Sequence, residues 1–354
     1  MAKTGIMASI PYFSGSLFVK FLLRIAFFLL CLGGAASAAL YGWMRHPLPF
    51  PAGTEQVTFR IPPGMSLRGV AQTLGTAGVE VQPDLLVFAM RLKRLRGGSP
   101  HIRTGVYGIK AGVTPWTLLE TLMSGKVLQI DVRLIEGWTF RQWRERLREQ
   151  EGLDHELSQL SDEAVMRRLE LRGTSPEGLF FPDTYRVDLY TSDVELLRIA
   201  AQTLQKHLER EWAERQANLP YRTPYEALIM ASIVEKETGI DADRPKVASV
   251  FVNRLRRGMR LQTDPTVIYG MGEQFDGNLR RRDLETDTSH NTYTRPGLPP
   301  TPIAMPSLAS IRAALNPEQT RYLYFVARGD GSSAFSETLD THNRAVNQYQ
   351  RRRN

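Results

Sequence analysis

The chain has 354 residues, 42% of them hydrophobic and 23% charged, and a formal net charge of +8. That length suggests about two domains plus appendages, and the composition excludes a collagen-like, low-complexity or disordered chain. The basic balance suits nucleic acid, an anionic membrane surface or an anionic polymer.

The N-terminus separates these classes. Residues 25–43, "IAFFLLCLGGAASAALYGW", run for 19 positions without a charge, long enough for a transmembrane helix. Lys3, Lys20 and Arg24 precede the run, which favours a cytoplasmic segment over 1–24. Tyr41 and Trp43 suit the far interface. The alternative is a cleaved export signal, because "ASA" at 36–38 has the shape of a cleavage site. The length of the apolar run favours an anchor. Either way the rest of the chain is exported, which argues against nucleic acid as a partner. The single cysteine, Cys31, lies inside the run, so the exported part has neither disulfide nor thiol chemistry. Leu30 before it is larger than the small residue that a lipoprotein site prefers.

Residues 44–54 include Pro47, Pro49 and Pro51 and predict a stiff linker. A repeat follows. "FRIPPGMSLRGVAQTL" (59–74), "YGIKAGVTPWTLLETL" (107–122) and "VRLIEGWTFRQWRERL" (132–147) share one pattern. Alternating apolar residues predict a short strand. Gly64, Gly112 or Gly137 then permits a turn. Ser66, Thr114 or Thr139 caps a helix by accepting from its free N–H groups. Apolar residues four apart, such as Val70 and Leu74, form the buried face of that helix. The stretch 55–130 resembles a LysM-like α+β module. That resemblance implies affinity for N-acetylglucosamine polymers, and a packing scaffold without glycan affinity is the competing reading.

Residues 150–176 are polar and predict a linking helical segment. "EGLFFPDTYRV" (177–187) is aromatic-rich and broken by Pro182, and residues 194–215 predict one long amphipathic helix. "TPYE" (223–226) predicts a helix start, with Thr223 as N-cap, Pro224 in the first turn and Glu226 completing a capping box. The helix runs through "ALIMASIV" toward Gly239, apolar all round, and should be buried and central. Glu235 at its end shares a face with Leu228, Ala231 and Ser232. Desolvation of a carboxylate raises its pKa toward that of a useful general acid, so Glu235 is the candidate acid–base. Glu237 lies about 200° further round the helix. The two cannot flank one glycosidic bond as an ordinary glycosidase pair does unless the helix breaks between them. A salt bridge or a cap for the following loop is the reading for Glu237.

A helix over 245–257 comes next, then "LQTDPTVIYGMG" (261–272). Gln262, Thr263, Asp264, Thr266 and Tyr269 are side chains that hydrogen-bond sugars, and Asp264 before Pro265 should be extended. "HNTYTRPGLPPTPIAMPS" (290–307) predicts a long irregular loop, with Asn291 and Tyr293 at its start as further cleft candidates. The chain should close with a strand at 322–327, a turn at "GDG", a strand near Phe335 and a terminal helix. The histidines show no H-E-x-x-H and no metal-ligand spacing, and there is no S-x-x-K, G-x-S-x-G or phosphate-cradling loop. A carboxylate acting on a polymer, with neither metal nor cofactor, is what remains.

"MASIVEKET" (230–238), "KVASVFVNRLRRGMRLQTDPTVIYGMG" (246–272), "DLET" (283–286), "NTY" (291–293), "GLPP" (297–300) and "YLYFVA" (322–327) together resemble the endolytic murein transglycosylases, the YceG-like family. "EGLFFPDTY" also fits, with Leu179 and Phe181 where relatives often carry tryptophan. The resemblance implies an α+β chain: a transmembrane helix, a LysM-like module, and a mixed α/β catalytic domain over 131–354 built on a buried central helix. It implies a bacterial inner-membrane enzyme, anchored by a single pass, with its catalytic domain in the periplasm. The implied reaction cuts the MurNAc–GlcNAc bond within peptidoglycan glycan strands and leaves a 1,6-anhydro end, releasing or terminating nascent strands. One glutamate acts as acid and then as base, and the family's catalytic glutamate is matched to Glu235. Contact with peptidoglycan synthases is also implied. The competing functions are a hydrolytic muramidase and a non-catalytic peptidoglycan-binding scaffold.

Overall fold

The computed structural model describes residues 15–95 and 102–350. Most of the expected cytoplasmic segment, Lys3 included, lies outside the described residues. The chain divides into two compact units, Met1–Leu128 and Gln129–Asn354.

The first unit opens with helix α1 (Gly15–Arg45), longer at both ends than the charge-free run. The 27 residues from Val19 to Arg45 are long and apolar enough to cross a membrane. Strand β1 (Gln56–Ile61), helices α2 (Leu67–Thr76) and α3 (Pro83–Leu95), strand β2 (Gly105–Lys110) and helix α4 (Pro115–Ser124) follow. β1 and β2 pair antiparallel, with Phe59 opposite Tyr107. The two rings stack at 5.8 Å. The expected linker is not a free spacer. Leu48 is buried and its N–H donates to Val113 O at 2.8 Å, and Leu40, Trp43, Met44 and Phe50 join the same apolar core. Proline stiffened the segment, but its apolar residues had a hydrophobic surface to cover, and burial prevailed.

The second unit begins with β3 (Gln129–Arg133), α5 (Phe140–Glu149), the short β4 (Leu153–Asp154), a 3₁₀ turn at Leu157–Gln159 and α6 (Asp162–Arg168). β5 (Thr184–Asp188), β6 (Thr191–Ser192) and the long α7 (Asp193–Ala213) complete its first half. β3 pairs antiparallel with β5, and β4 parallel with β6. Each of the three repeats forms strand, turn and helix. Gly64, Gly112 and Gly137 have φ of 77°, 84° and 71°, and Ser66, Thr114 and Thr139 accept from the third residue of their helices.

The second half holds α8 (Pro224–Glu237), α9 (Arg244–Arg256), α10 (Asp264–Met271), the short α11 (Arg281–Glu285), α12 (Leu308–Leu315), the β7–β8 hairpin (Tyr324–Ala327 with Ser333–Ser336) and α13 (Leu339–Tyr349). Helix α8 is central: α7, α9, α10 and α12 all pack on it. Every residue from Ala227 to Val234 is buried. At roughly 1.5–3 kcal/mol for each large apolar side chain, this helix is a main source of the unit's stability. Thr223 caps it as expected, but Glu226 accepts from Arg222 N at 2.6 Å, one residue before the position a capping box requires. Asp264 is not extended. It is the first residue of α10, with Thr263 at the N-cap, because proline is tolerated in a first turn where N–H groups are free.

Candidate active site

The end of α8 carries two glutamates with opposite surroundings. The carboxylate of Glu235 is 5% exposed and faces the N-terminus of α12. Its Oε2 accepts from Ser307 N at 3.0 Å, Ser307 Oγ at 2.5 Å and Ser310 Oγ at 2.7 Å. Arg244 Nη2 lies 3.5 Å from Oε1. Arg244 Nε donates to Ser310 Oγ at 3.1 Å, and its guanidinium also pairs with Asp241. One backbone N–H, two hydroxyls and a cation surround this carboxylate. Such a carboxylate is a clasp between α8 and the start of α12. Glu235, the acid expected from sequence, is thus bound to Ser307, Ser310 and Arg244.

Glu237 is the reverse. It accepts from the Thr263 hydroxyl, and no lysine or arginine is in ion-pair contact with it among the described residues. Burial pushes its carboxyl up from the usual 4.5 to about 7, and the Asp264 carboxylate adds to the rise. As a residue it is half-buried, as Glu235 is. A carboxylic acid whose pKa is raised toward neutrality can give a proton and take one back.

Thr263 ties Glu237 to the wall of an open cavity. Thr263 N donates to Thr292 Oγ1 at 3.1 Å, and the Thr266 and Thr292 hydroxyls lie 2.8 Å apart. Thr292, with His290, Asp287, Arg295 and Leu298, lines a groove of about 640 Å³ formed by residues 287–300. Tyr293 donates to Asp264 Oδ1 at 2.5 Å, and burial followed by that carboxylate pushes its phenol pKa up. Gln262 is exposed on a left-handed turn, φ 51°, with its N–H donating to Thr292 O at 3.2 Å. For a non-glycine residue that conformation is uncommon, and such positions cluster at functional sites.

Seven of the eight residues proposed from sequence occupy this region in different ways. Thr263 bonds Glu237, Asp264 and Tyr293 lie near enough to interact with its charge, and Gln262 bonds Thr292 through its backbone. Thr266 and Asn291 are fully buried and build the wall from behind. The Asn291 amide donates to the carbonyls of Leu284 and Thr286 at 3.0 and 2.7 Å, and its Oδ1 accepts from Tyr293 N at 2.8 Å. Tyr269 lies toward the other end of α10. Glu235, at the same helix end, faces the start of α12.

Sequence reasoning missed Glu177. It is 4% exposed, accepts from Phe140 N at 3.1 and 3.2 Å and from Tyr269 Oη at 3.2 Å, and burial pushes it up to about 7. A lone acid in an aromatic run, "EGLFF", was the available signal. Among the described residues no group of three or more His, Cys, Asp or Glu is placed to hold a metal ion.

An α+β chain with an open groove and, linked to its wall through Thr263, a buried carboxylic acid raised toward neutrality fits the class of enzymes that cut polymers by general acid–base chemistry. The chain belongs to the YceG-like family, whose sequence model matches residues 59–348. A protein of Bacillus subtilis (strain 168) named endolytic murein transglycosylase is 31% identical over 339 residues, covering 90% of this chain and 91% of that one. A second of that name, from Streptococcus pneumoniae serotype 2, is 27% identical, covering 90% of this chain but 64% of its own longer one. The crystal structure of a YceG-like protein from Listeria monocytogenes has a TM-score of 0.52 at 27% identity, over 82% of this chain and 98% of that one.

Proposed function

We propose that this chain is an endolytic murein transglycosylase and that Glu237 is its acid–base. The observation that carries the assignment of Glu237 is its carboxyl, raised to about 7 by burial and bonded to Thr263, which hydrogen-bonds Thr292 in the wall of the 287–300 groove. The likeness to the Bacillus relative over nine tenths of both chains supports the activity.

In the proposed reaction the Glu237 proton goes to the oxygen leaving C1 of N-acetylmuramic acid, and the C1–O bond to the departing sugar breaks. Positive charge grows at C1, where the Asp264 carboxylate, oriented by Tyr293, supplies negative potential. The Glu237 carboxylate then takes the proton of the C6 hydroxyl as its oxygen bonds to C1, closing a 1,6-anhydro ring. One group serves both steps, which is why a single acid suffices. Mass spectrometry of strands cut by the purified protein should show ends lighter by one water. Reducing ends would establish a hydrolytic muramidase instead, and sacculus binding with no soluble product would establish a scaffold.

The acid must be protonated at the start, so kcat/KM should be level below about 7 and fall above it by about tenfold per pH unit as Glu237 ionises. A profile flat from pH 6 to 9 would exclude this group as the acid.

The same reading anchors the protein through α1, with Lys20 and Arg24 on the cytoplasmic side and both units beyond the inner membrane. The β1–α2–α3–β2 arrangement in the first unit supports a LysM-like module that holds glycan. An anchor beside newly made strands is also consistent with contact to a peptidoglycan synthase.

A further inference from the structure

We propose that Glu177 is a positioning residue for the glycan groove: it fixes Tyr269 behind His290 and so sets the wall that the sugar chain meets. The proposal rests on the reading that the glycan lies along the 287–300 groove toward Glu237.

Glu177 is tied on both sides. Its two oxygens share the N–H of Phe140, the first residue of α5, at 3.1 and 3.2 Å. That N–H is one of the free donors at a helix start, a natural seat for a carboxylate. On the other side the Tyr269 hydroxyl donates to Oε2 at 3.2 Å. The Tyr269 ring lies 4.8 Å from the His290 ring, inclined at 59°. His290 is held at both nitrogens, 2.9 Å from Thr301 Oγ1 and 3.0 Å from Ser289 Oγ, and it lines the groove. The chain from α5 to the groove wall is therefore continuous: Phe140, Glu177, Tyr269, His290.

The packing leaves little slack. A Cβ added at Gly270 would meet Thr288 Oγ1 at 2.6 Å, so α10 and the wall touch backbone to side chain. A Cβ at Gly178 would meet Pro302 Cβ at 2.3 Å, which presses the loop down beside Glu177. In so close a fit, movement of the Tyr269 ring displaces His290. Glu177 itself is 4% exposed and enclosed by these groups. A carboxyl that does not reach the sugar cannot hand it a proton; it acts through the ring it holds. A tilted aromatic wall is a common means of seating an apolar sugar face, so the loss should fall on binding.

The test uses the full-length protein in detergent with soluble, uncross-linked glycan strands. Tyr269→Phe removes only the hydroxyl and should raise KM about fivefold with kcat within about twofold of wild type. Glu177→Leu should raise KM by at least as much, and Glu177→Gln, which keeps an acceptor for Tyr269, should recover most of that loss. The double variant Glu177→Leu, Tyr269→Phe should be no worse than Glu177→Leu alone, because both break one link. Should Glu177→Leu fail to fold, Tyr269→Phe and Glu177→Gln carry the test. An unchanged KM in Tyr269→Phe overturns the proposal. So does a loss of kcat beyond about 100-fold with unchanged KM in Glu177→Gln, which would make Glu177 a proton-transfer group. Glu237→Gln at wild-type kcat would instead sink the cleft reading itself. An inactive Glu237→Gln with a normal Tyr269→Phe would sink only this one.

Discussion

Glu237→Gln should lower kcat for strand cutting by at least about 10²–10⁴-fold, the usual worth of a positioned general acid–base, with the protein still folded. The amide keeps the shape and can still accept from Thr263, so the groove is preserved. It cannot give a proton to the leaving oxygen or take one from the C6 hydroxyl, so both steps fail together. The check is release of soluble fragments from purified peptidoglycan, normalised to folded protein. Wild-type release by this variant would remove Glu237 from the chemistry. Glu235→Gln is the necessary contrast: it should lose stability but keep turnover per folded molecule. The stability of Glu237→Gln carries its own sign. A carboxyl whose pKa rises from 4.5 to about 7 on folding binds more protons in the folded state between those values. Its contribution to stability is therefore complete below about 4.5 and is lost as pH rises through about 7. The uncharged amide escapes that loss, so the variant should be no more stable than wild type near pH 4.5 and more stable near pH 8, by up to roughly 3 kcal/mol.

Arg244→Met should destabilise the second unit by about 3–5 kcal/mol, the cost of leaving a buried charge without its partner. Arg244 is 7% exposed and Glu235 lies 3.5 Å away, clasped to the start of α12. Removing the cation leaves a desolvated carboxylate supported only by Ser307 and Ser310. Urea unfolding at pH 7 measures the loss. Glu235→Gln combined with Arg244→Met should be less destabilised than Arg244→Met alone, because the amide still accepts from the serines and carries no charge. If Arg244→Met unfolds within about 1 kcal/mol of wild type, the clasp is not a structural pair.

The sequence was legible where the physics is local. Strand, glycine, hydroxyl cap and apolar face lie within sixteen residues of each other in every repeat, and all three formed. The cap at Thr223 and the burial of α8 followed from one stretch. What distinguishes Glu235 from Glu237 is not local. Helix α8 is apolar on every side, so burial alone could not rank them. Their surroundings differ through Ser307, Ser310 and Arg244 on one side and Thr263 on the other, brought in from other elements. Helix α12 gave no sign of its role, because its cap sits at the end of a proline-rich stretch that reads as loop. The same distance effect hid Glu177, whose partners are 37 residues before it and 92 after.

Helix α1 ends inside the domain it leads to. Leu40, Trp43 and Met44 of its last turns, and Leu48 just after, pack in the core of the first unit. Mechanically that makes α1 a post and not a leash. Any tilt of the helix is passed to the first unit directly, with no swivel between them to absorb it. It also means that α1 cannot be trimmed at its last apolar residue without opening the core, so a shortened form of this chain has to keep residues 40–50.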